Sequence, residues 1–448
     1  MDLLLTKTPL IWLFQSYWRD EAFSVILAQK PFLELLNISA KDFSPPLYYL
    51  ALKVWINIFG SNEIATRSLS ILAFVALATT LFIYFRRVEK FDLLRLLIIG
   101  LTILSSPILT YYAFETRMYS WAAFFATCSW IALFTNKKRV FVIVSLLGLY
   151  THYFQALILV SQLVFIIWDE FVKADKINFK TFLKSIYKSW GAQFLTVFLL
   201  FAPWALFVAS NHISSTSSFW IKKPTLELVL NTPAILVTGY ERDFNIKYGL
   251  FGISTLLYIL IVTSCIKNFE DIKTSFTRLK TKPVAYVFWF FLPAMFVGIL
   301  SLFGPSLYLP RYLIVSSPAL FFFVASELKN KRLLPSAFLI TIILLQIANY
   351  QNLQIKNRTK ENLRHVFTKI NNQAGKNDVL YLESELDFHL AKHYFKYPER
   401  VYVVGKPYSE LPSYVGKAMI PEQNVSVSRP DEETGVWLKS DRSTPAID

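Results

Sequence analysis

Long apolar runs alternate with short polar connections along this chain. Charge is missing from residues 68–85, 96–114, 118–136, 189–211, 248–266, 284–310 and 333–355. A membrane-crossing helix needs about 20 apolar residues, so each run approaches or reaches spanning length. Residues 140–168 are interrupted only by His152. That stretch is too long for one untilted span, and two crossings meeting near residues 148–154 fit better. The opening stretch, 3–15, is apolar apart from Lys7 and short for a span, and it lacks the small-residue cleavage site of a signal peptide. A short snorkelling first helix and a start further upstream both fit it.

The polar connections are basic. Arg86, Arg87, Lys90 and Arg95 form one group; Lys137, Lys138 and Arg139 a second; Lys173, Lys176, Lys180, Lys184 and Lys188 a third. Further groups lie at Lys267–Lys282 and at Lys329, Lys331 and Arg332. Lysine and arginine are retained on the cytoplasmic side, which fixes topology. Threading helices between these groups gives about eleven crossings within residues 1–355. It also sends five regions to the opposite side: a first outer loop at 17–63, the segment 115–119, His152, Pro310-Arg311-Tyr312, and all that follows residue 355. Beyond that point the pattern changes. Residues 377–384, 399–405 and 435–441 read as strands and 385–395 as a helix. Residues 356–448 therefore form a small extracytoplasmic α/β domain, marginal alone at this size and expected to rest on the membrane part. The fold class predicted is a polytopic α-helical membrane protein with interfacial helices on its outer face and this C-terminal domain. No internal repeat is evident.

Composition supports that reading. The 448 residues are 54% hydrophobic and only 17% charged, against about 25% charged in soluble domains. A net charge of +15 could point to nucleic acid, but its confinement to short connections makes it a topology signal; no nucleic-acid partner is expected. Cys128 and Cys265 both fall in predicted spans, so they build no disulfide framework.

Chemistry is expected in the first outer loop. Asp20-Glu21 is an adjacent acidic pair opening an interfacial helix over 22–29, and Asp42 precedes Ser44-Pro45-Pro46. One reading makes Asp20 a helix N-cap and Glu21 a first-turn acid favoured by the helix dipole. The other makes Asp20 a general base with Glu21 in support, because carboxylates beside hydrocarbon are costly unless they work or are paired. Close carboxylates also raise one another's pKa or recruit a cation. The double proline blocks helix over its predecessor and could hold Asp42 rigidly. Glu115 and Arg117 make either an interfacial ion pair or a second acid with a phosphate-binding guanidinium. His152 is either an aromatic-flanked anchor or a metal or phosphate ligand. Arg311, an arginine on the outer side, suggests anion binding. No GxxxxGK[ST] loop, HExxH helix, GxSxG elbow or CxxC pair occurs, so no nucleotide cofactor is expected.

In order along the chain, Trp18-x-Asp20-Glu21-Ala22-Phe23-Ser24, Asp42-x-x-Pro45-Pro46-Leu47-Tyr48-Tyr49, Arg67-Ser68-Leu69-Ser70, Glu115-x-Arg117-Met118-Tyr119, Gly148-Leu149-Tyr150-Thr151-His152-Tyr153 and Pro310-Arg311-Tyr312 resemble a GT-C glycosyltransferase. The resemblance is to the bacterial family 39-like group of dolichyl-phosphate-mannose–protein mannosyltransferases and aminoarabinose transferases, and it covers residues 17–315. It implies a plasma-membrane enzyme that uses a polyprenyl-phosphate-linked sugar on the outer face, with a protein, lipid or glycan acceptor. By resemblance, Asp20 is the catalytic base and Glu21 its neighbour. Glu115 is a second acid available to a divalent metal, together with Asp42 and His152. Arg117 and Arg311, with Tyr119 and Tyr312, hold the donor phosphate. Many relatives read His-Pro-Pro where this chain has Ser44-Pro45-Pro46; that histidine's role is vacant here or supplied by His152. Residues 20 and 115 are expected to meet in one wet pocket, and a single base would invert the anomeric centre. A transporter or flippase for an anionic or lipid-linked substrate, and a non-catalytic membrane scaffold, are the competing readings.

Overall fold

The computed structural model describes residues 7–173, 184–212, 221–239, 252–255, 257–258, 282–329, 341, 345, 355, 358–428 and 435–441. It opens with α1 (Leu10–Phe14), α2 (Arg19–Gln29), α3 (Phe32–Lys41) and α4 (Leu47–Phe59). The membrane part continues through α5 (Glu63–Arg87), α6 (Leu93–Leu104), α7 (Pro107–Ala113), α8 (Tyr119–Phe134), α9 (Lys138–Thr151) and α10 (Gln155–Lys173). Helices α11 (Ala192–His212), α12 (Leu226–Thr238), α13 (Lys282–Phe303) and α14 (Ala319–Lys329) follow. Among the described residues four helices are long and apolar enough to cross a membrane, and α6 with α7 together reaches that length with a bend of 63° between them. The bend falls at Ser105-Ser106-Pro107, because proline ends the helix before it. The crossings expected at 248–266 and 333–352 lie largely outside the described residues, as does Cys265.

Lipid supplies little drive for helices to associate, so packing must hold the bundle. The core is accordingly aromatic: Trp130 stacks on Trp289 at 5.4 Å, and Phe322 packs against Trp289 at 5.3 Å and Tyr286 at 5.4 Å. Apolar side chains also point outward, as Leu94, Leu97 and Leu101 do on α6. An outward apolar face is costly in water and suits a bilayer.

The two ends of the bundle differ chemically. At one end Glu89 accepts Lys282 at 2.7 Å and Lys329 at 2.9 Å, joining three of the basic connections. The other end carries the 17–63 loop, the 115–117 turn, His152, Arg311 and the chain from Arg358 onward. There Ser16, Tyr17 and Glu63 are bound to Leu363, Tyr394 and Arg364. The C-terminal part contains α15 (Leu363–Gln373), β1 (Val379–Leu382), α16 (Phe388–Tyr394), β2 (Val401–Val404), β3 (Val425–Ser426) and β4 (Gly435–Leu438). Three strands and a helix stand where alternation predicted them; β3, two residues long, carries too little pattern to read. All pairings are parallel, in the order β3-β2-β1-β4. At Gly416 (φ +73°) the backbone lies so close to α2 that a Cβ would come within 2.6 Å of Phe23 and His389. Only glycine fits there, and it seats the C-terminal sheet on the first outer loop.

Candidate functional site

Helix α2 begins one turn earlier than expected, and Trp18, not Asp20, is its N-cap. The Glu21 carboxylate reaches back to accept the Trp18 N–H at 3.3 Å, as an acid at this position of a helix can. The adjacent acids then point into different surroundings.

Glu21 is wholly enclosed. Arg67 grips it with Nε–H at 2.9 Å and Nη2–H at 2.8 Å, Lys360 donates at 2.8 Å, and the Thr116 N–H donates at 2.9 Å. Arg67, itself fully buried, spends its remaining donors on the carbonyls of Trp12, Gln15 and Ser16 at the end of α1. Burial alone would push the Glu21 carboxyl up, but Arg67 and Lys360 outweigh it and hold the pKa well below the usual range. A buried ion with this many donors is a fixed anion. It locks the first loop, α5, the 115–117 turn and the C-terminal linker to one another.

Glu115 lies against the same cluster, 3.9 Å from Lys360. Burial raises its pKa, the neighbouring Glu21 anion adds to that, and Lys360 opposes it. Glu115 therefore meets Glu21 across the Lys360 ammonium.

Asp20 sits on the other face. It is half-buried, and its carboxylate forms no hydrogen bond among the described residues, although its charge is felt at Arg117, Arg311 and Asp42. Its backbone carbonyl accepts from Ser24 Oγ at 2.8 Å and from Arg117 at 3.4 Å. Arg117 also donates to Ser24 Oγ at 3.2 Å, while its Nε has no partner among the described residues. Arg311 lies 5.8 Å from the Trp18 and Tyr312 rings. Asp42 caps the end of α3, where Phe43 turns into the left-handed region (φ +53°) and Ser44 donates to the Asp42 carboxylate at 2.9 Å. A non-glycine residue in that region is uncommon and strained, so Ser44-Pro45-Pro46 holds a sharp corner. Burial lifts the Asp42 pKa to about 7 against the pull of Ser44 and Arg117.

Tyr119, His152 and Tyr312 complete this face as an aromatic cluster, with ring separations of 5.9, 5.3 and 6.3 Å. The Tyr119 hydroxyl is buried without a partner among the described residues. His152 Nδ1 accepts the Phe154 N–H at 3.2 Å, so in the neutral ring the proton sits on Nε2. Burial and the Arg117 charge keep that ring neutral. Nε2–H is a donor suited to an anion and not a metal ligand.

The expected divalent metal does not fit this donor set. Among the described residues no three or more of His, Cys, Asp and Glu converge. Where Glu21 and Glu115 approach each other the Lys360 ammonium already sits between them. Asp42 and Glu115 lie in different charge clusters, and His152 presents its proton.

No family model matches the sequence, and no curated protein matches it. Solved structures do. The crystal structure of ArnT from Cupriavidus metallidurans bound to undecaprenyl phosphate superposes with a TM-score of 0.57 over 96% of this chain and 91% of that one. The apo state of the same protein gives 0.54 over 88% and 82%. The fold is shared with ArnT. Identity is 13% in both cases, so the likeness establishes the shared fold and not residue roles.

Two residues central to the site, Arg67 and Lys360, carry no local sequence signal of their role. Arg67 lies in the Arg67-Ser68-Leu69-Ser70 segment, which by itself indicates no function, and Lys360 lies in a charge-rich stretch. An enclosed acid demands a cation, which is a signal that partners exist. With separations of 46 and 339 positions along the chain, nothing local indicates which ones.

Proposed function

We propose that this chain is a membrane glycosyltransferase that moves a sugar from a polyprenyl-phosphate-linked donor to an acceptor hydroxyl. The reaction takes place at the outer face of the plasma membrane. The observation that carries the proposal is the pair of environments on α2: the Asp20 carboxylate makes no hydrogen bond among the described residues and its charge acts on two guanidinium groups, while Glu21 is locked away. The shared architecture with a protein solved bound to undecaprenyl phosphate supports a lipid phosphate as the donor's leaving group.

In the proposed reaction Asp20 accepts the acceptor's O–H proton as its oxygen attacks the anomeric carbon. The bond from that carbon to the phosphate oxygen breaks, and polyprenyl phosphate leaves with the electron pair. Arg117 and Arg311 balance the developing phosphate charge, and the Tyr119 hydroxyl and His152 Nε2–H are further donors for it. Attack opposite the leaving group inverts the anomeric centre. Glu21 and Lys360 act by holding α2 and the 115–117 turn in register, and no metal is routed through the step. A transporter would need ionisable groups near the bilayer midplane. In the four described helices long and apolar enough to span, charged residues lie within five residues of an end, which favours the transferase.

Purified protein incubated with undecaprenyl-phosphate sugars and candidate acceptors, with mass analysis of products, tests this. Sugar transfer with release of undecaprenyl phosphate is expected. Absence of both binding and turnover across the donor panel would rule the activity out.

A further inference from the structure

The C-terminal sheet has a feature the transfer chemistry has not used. From β1 the chain steps outward to β2 and then β3, and it returns to place β4 on the opposite side of β1. The direction of winding therefore reverses between β1 and β4. In open parallel sheets the connections leaving two such strands diverge, and the crevice outside their carboxyl ends is where ligands bind.

Here the chain leaves β1 at Leu382 into Ser384 and Asp387, and leaves β4 at Leu438 into Ser440 and Asp441. The two exits are tied together: the Ser440 N–H donates to the Glu383 carboxylate at 3.0 Å, and the Glu383 N–H to the Leu438 carbonyl at 3.2 Å. A cavity of about 440 Å³ opens at this point. Ser384, Asp387 and Ser440 line one wall, and Trp18, Arg19 and Lys360 line the other. Its volume is within the range of small-molecule sites. Trp18 and Arg19 immediately precede Asp20, so the crevice abuts the loop that carries the proposed base. The Trp18 indole N–H is buried without a hydrogen-bond partner among the described residues.

The lining selects its ligand. Carboxylates and serine hydroxyls accept and donate hydrogen bonds to hydroxyl groups, an indole offers an apolar face with one spare donor, and Leu386 and Leu390 add apolar wall. Acids outnumber bases there, and Lys360 is already taken by Glu21 at 2.8 Å, so a phosphate or other anion is disfavoured. We propose that this crevice binds an uncharged or amino-bearing carbohydrate. Given the transferase reading on which this part rests, that carbohydrate is the sugar of a glycan acceptor, presented to Asp20 by the C-terminal domain.

The test titrates the full-length protein separately with neutral disaccharides (maltose and cellobiose), with the amino-bearing disaccharide chitobiose and with undecaprenyl phosphate, in wild type and Ser440→Trp. Ser440 is exposed, so the bulky indole fills the crevice without disturbing a core. At least one disaccharide is expected to bind, and Ser440→Trp should weaken it by about tenfold or more, the scale of one or two lost hydrogen bonds. Undecaprenyl phosphate affinity should stay unchanged. No disaccharide binding, or binding indifferent to Ser440→Trp, would overturn the proposal. Disaccharide binding at the crevice without undecaprenyl phosphate binding would remove the transferase reading and leave the carbohydrate site standing.

Discussion

Asp20 and Glu21 are chemically near-identical and adjacent, yet they face two regions that treat a carboxylate in opposite ways. On the Glu21 side one arginine, one lysine and a backbone N–H close around the anion, and nothing is left to react. On the Asp20 side cations stand near without any hydrogen bond to the carboxylate among the described residues. Helix geometry produces the split, since consecutive residues on a helix point about 100° apart. A paired acid thus becomes the frame, and its unpaired neighbour becomes the reagent.

The frame breaks most severely at Arg67. Removing one partner of a buried ion pair leaves an uncompensated charge and costs about 3–5 kcal/mol. Arg67→Ala is expected to lower the melting temperature sharply, and Arg67→Ala with Glu21→Gln should recover part of the loss. If the single variant melts like wild type, Glu21 is not the anchor described here. The reactive side is probed by Arg117→Ala and Arg311→Ala. Hydrogen bonds to charged groups contribute about 1.5–3 kcal/mol, so each variant should weaken undecaprenyl phosphate binding by about 10- to 100-fold. Unchanged affinity in both would place the phosphate elsewhere.

Asp42 gives an effect of defined sign. Its folded pKa is raised to about 7 from an ordinary value near 3.9. The folded state therefore holds this proton more tightly than the unfolded chain does. Stability contributed here is fully present below about pH 4, declines as pH rises towards 7, and is flat above that. Asp42→Asn removes the penalty. Its melting temperature relative to wild type should rise between pH 4 and pH 8, and a difference independent of pH would contradict the assignment.

Much of this architecture is legible without coordinates, because it follows from local physics. Uncharged runs of spanning length and basic connections gathered on one side are properties of contiguous sequence, as are the alternating strands after residue 376. Asp20, Asp42, Arg117 and His152 stood out because charge beside apolar sequence requires a reason. What stayed hidden was pairing. Lys360 gives no sign of reaching Glu21, nor does the sequence say that Glu115 shares that ammonium. The bend at Ser105–Pro107 lies within an otherwise uniform apolar run, where only the proline marks it. The position of β4 beside β1, which creates the crevice, is a property of topology that no window of residues contains.

The central claim is the division of labour between neighbouring acids, and paired measurement of Asp20→Asn and Glu21→Gln tests it directly. Sugar transfer and thermal unfolding would be followed on both proteins. Asp20→Asn is expected to lose about 10²–10⁴-fold in turnover, the range for a general base, while unfolding like wild type; Glu21→Gln should unfold at lower temperature. Wild-type turnover in Asp20→Asn, or wild-type unfolding in Glu21→Gln, would contradict the account.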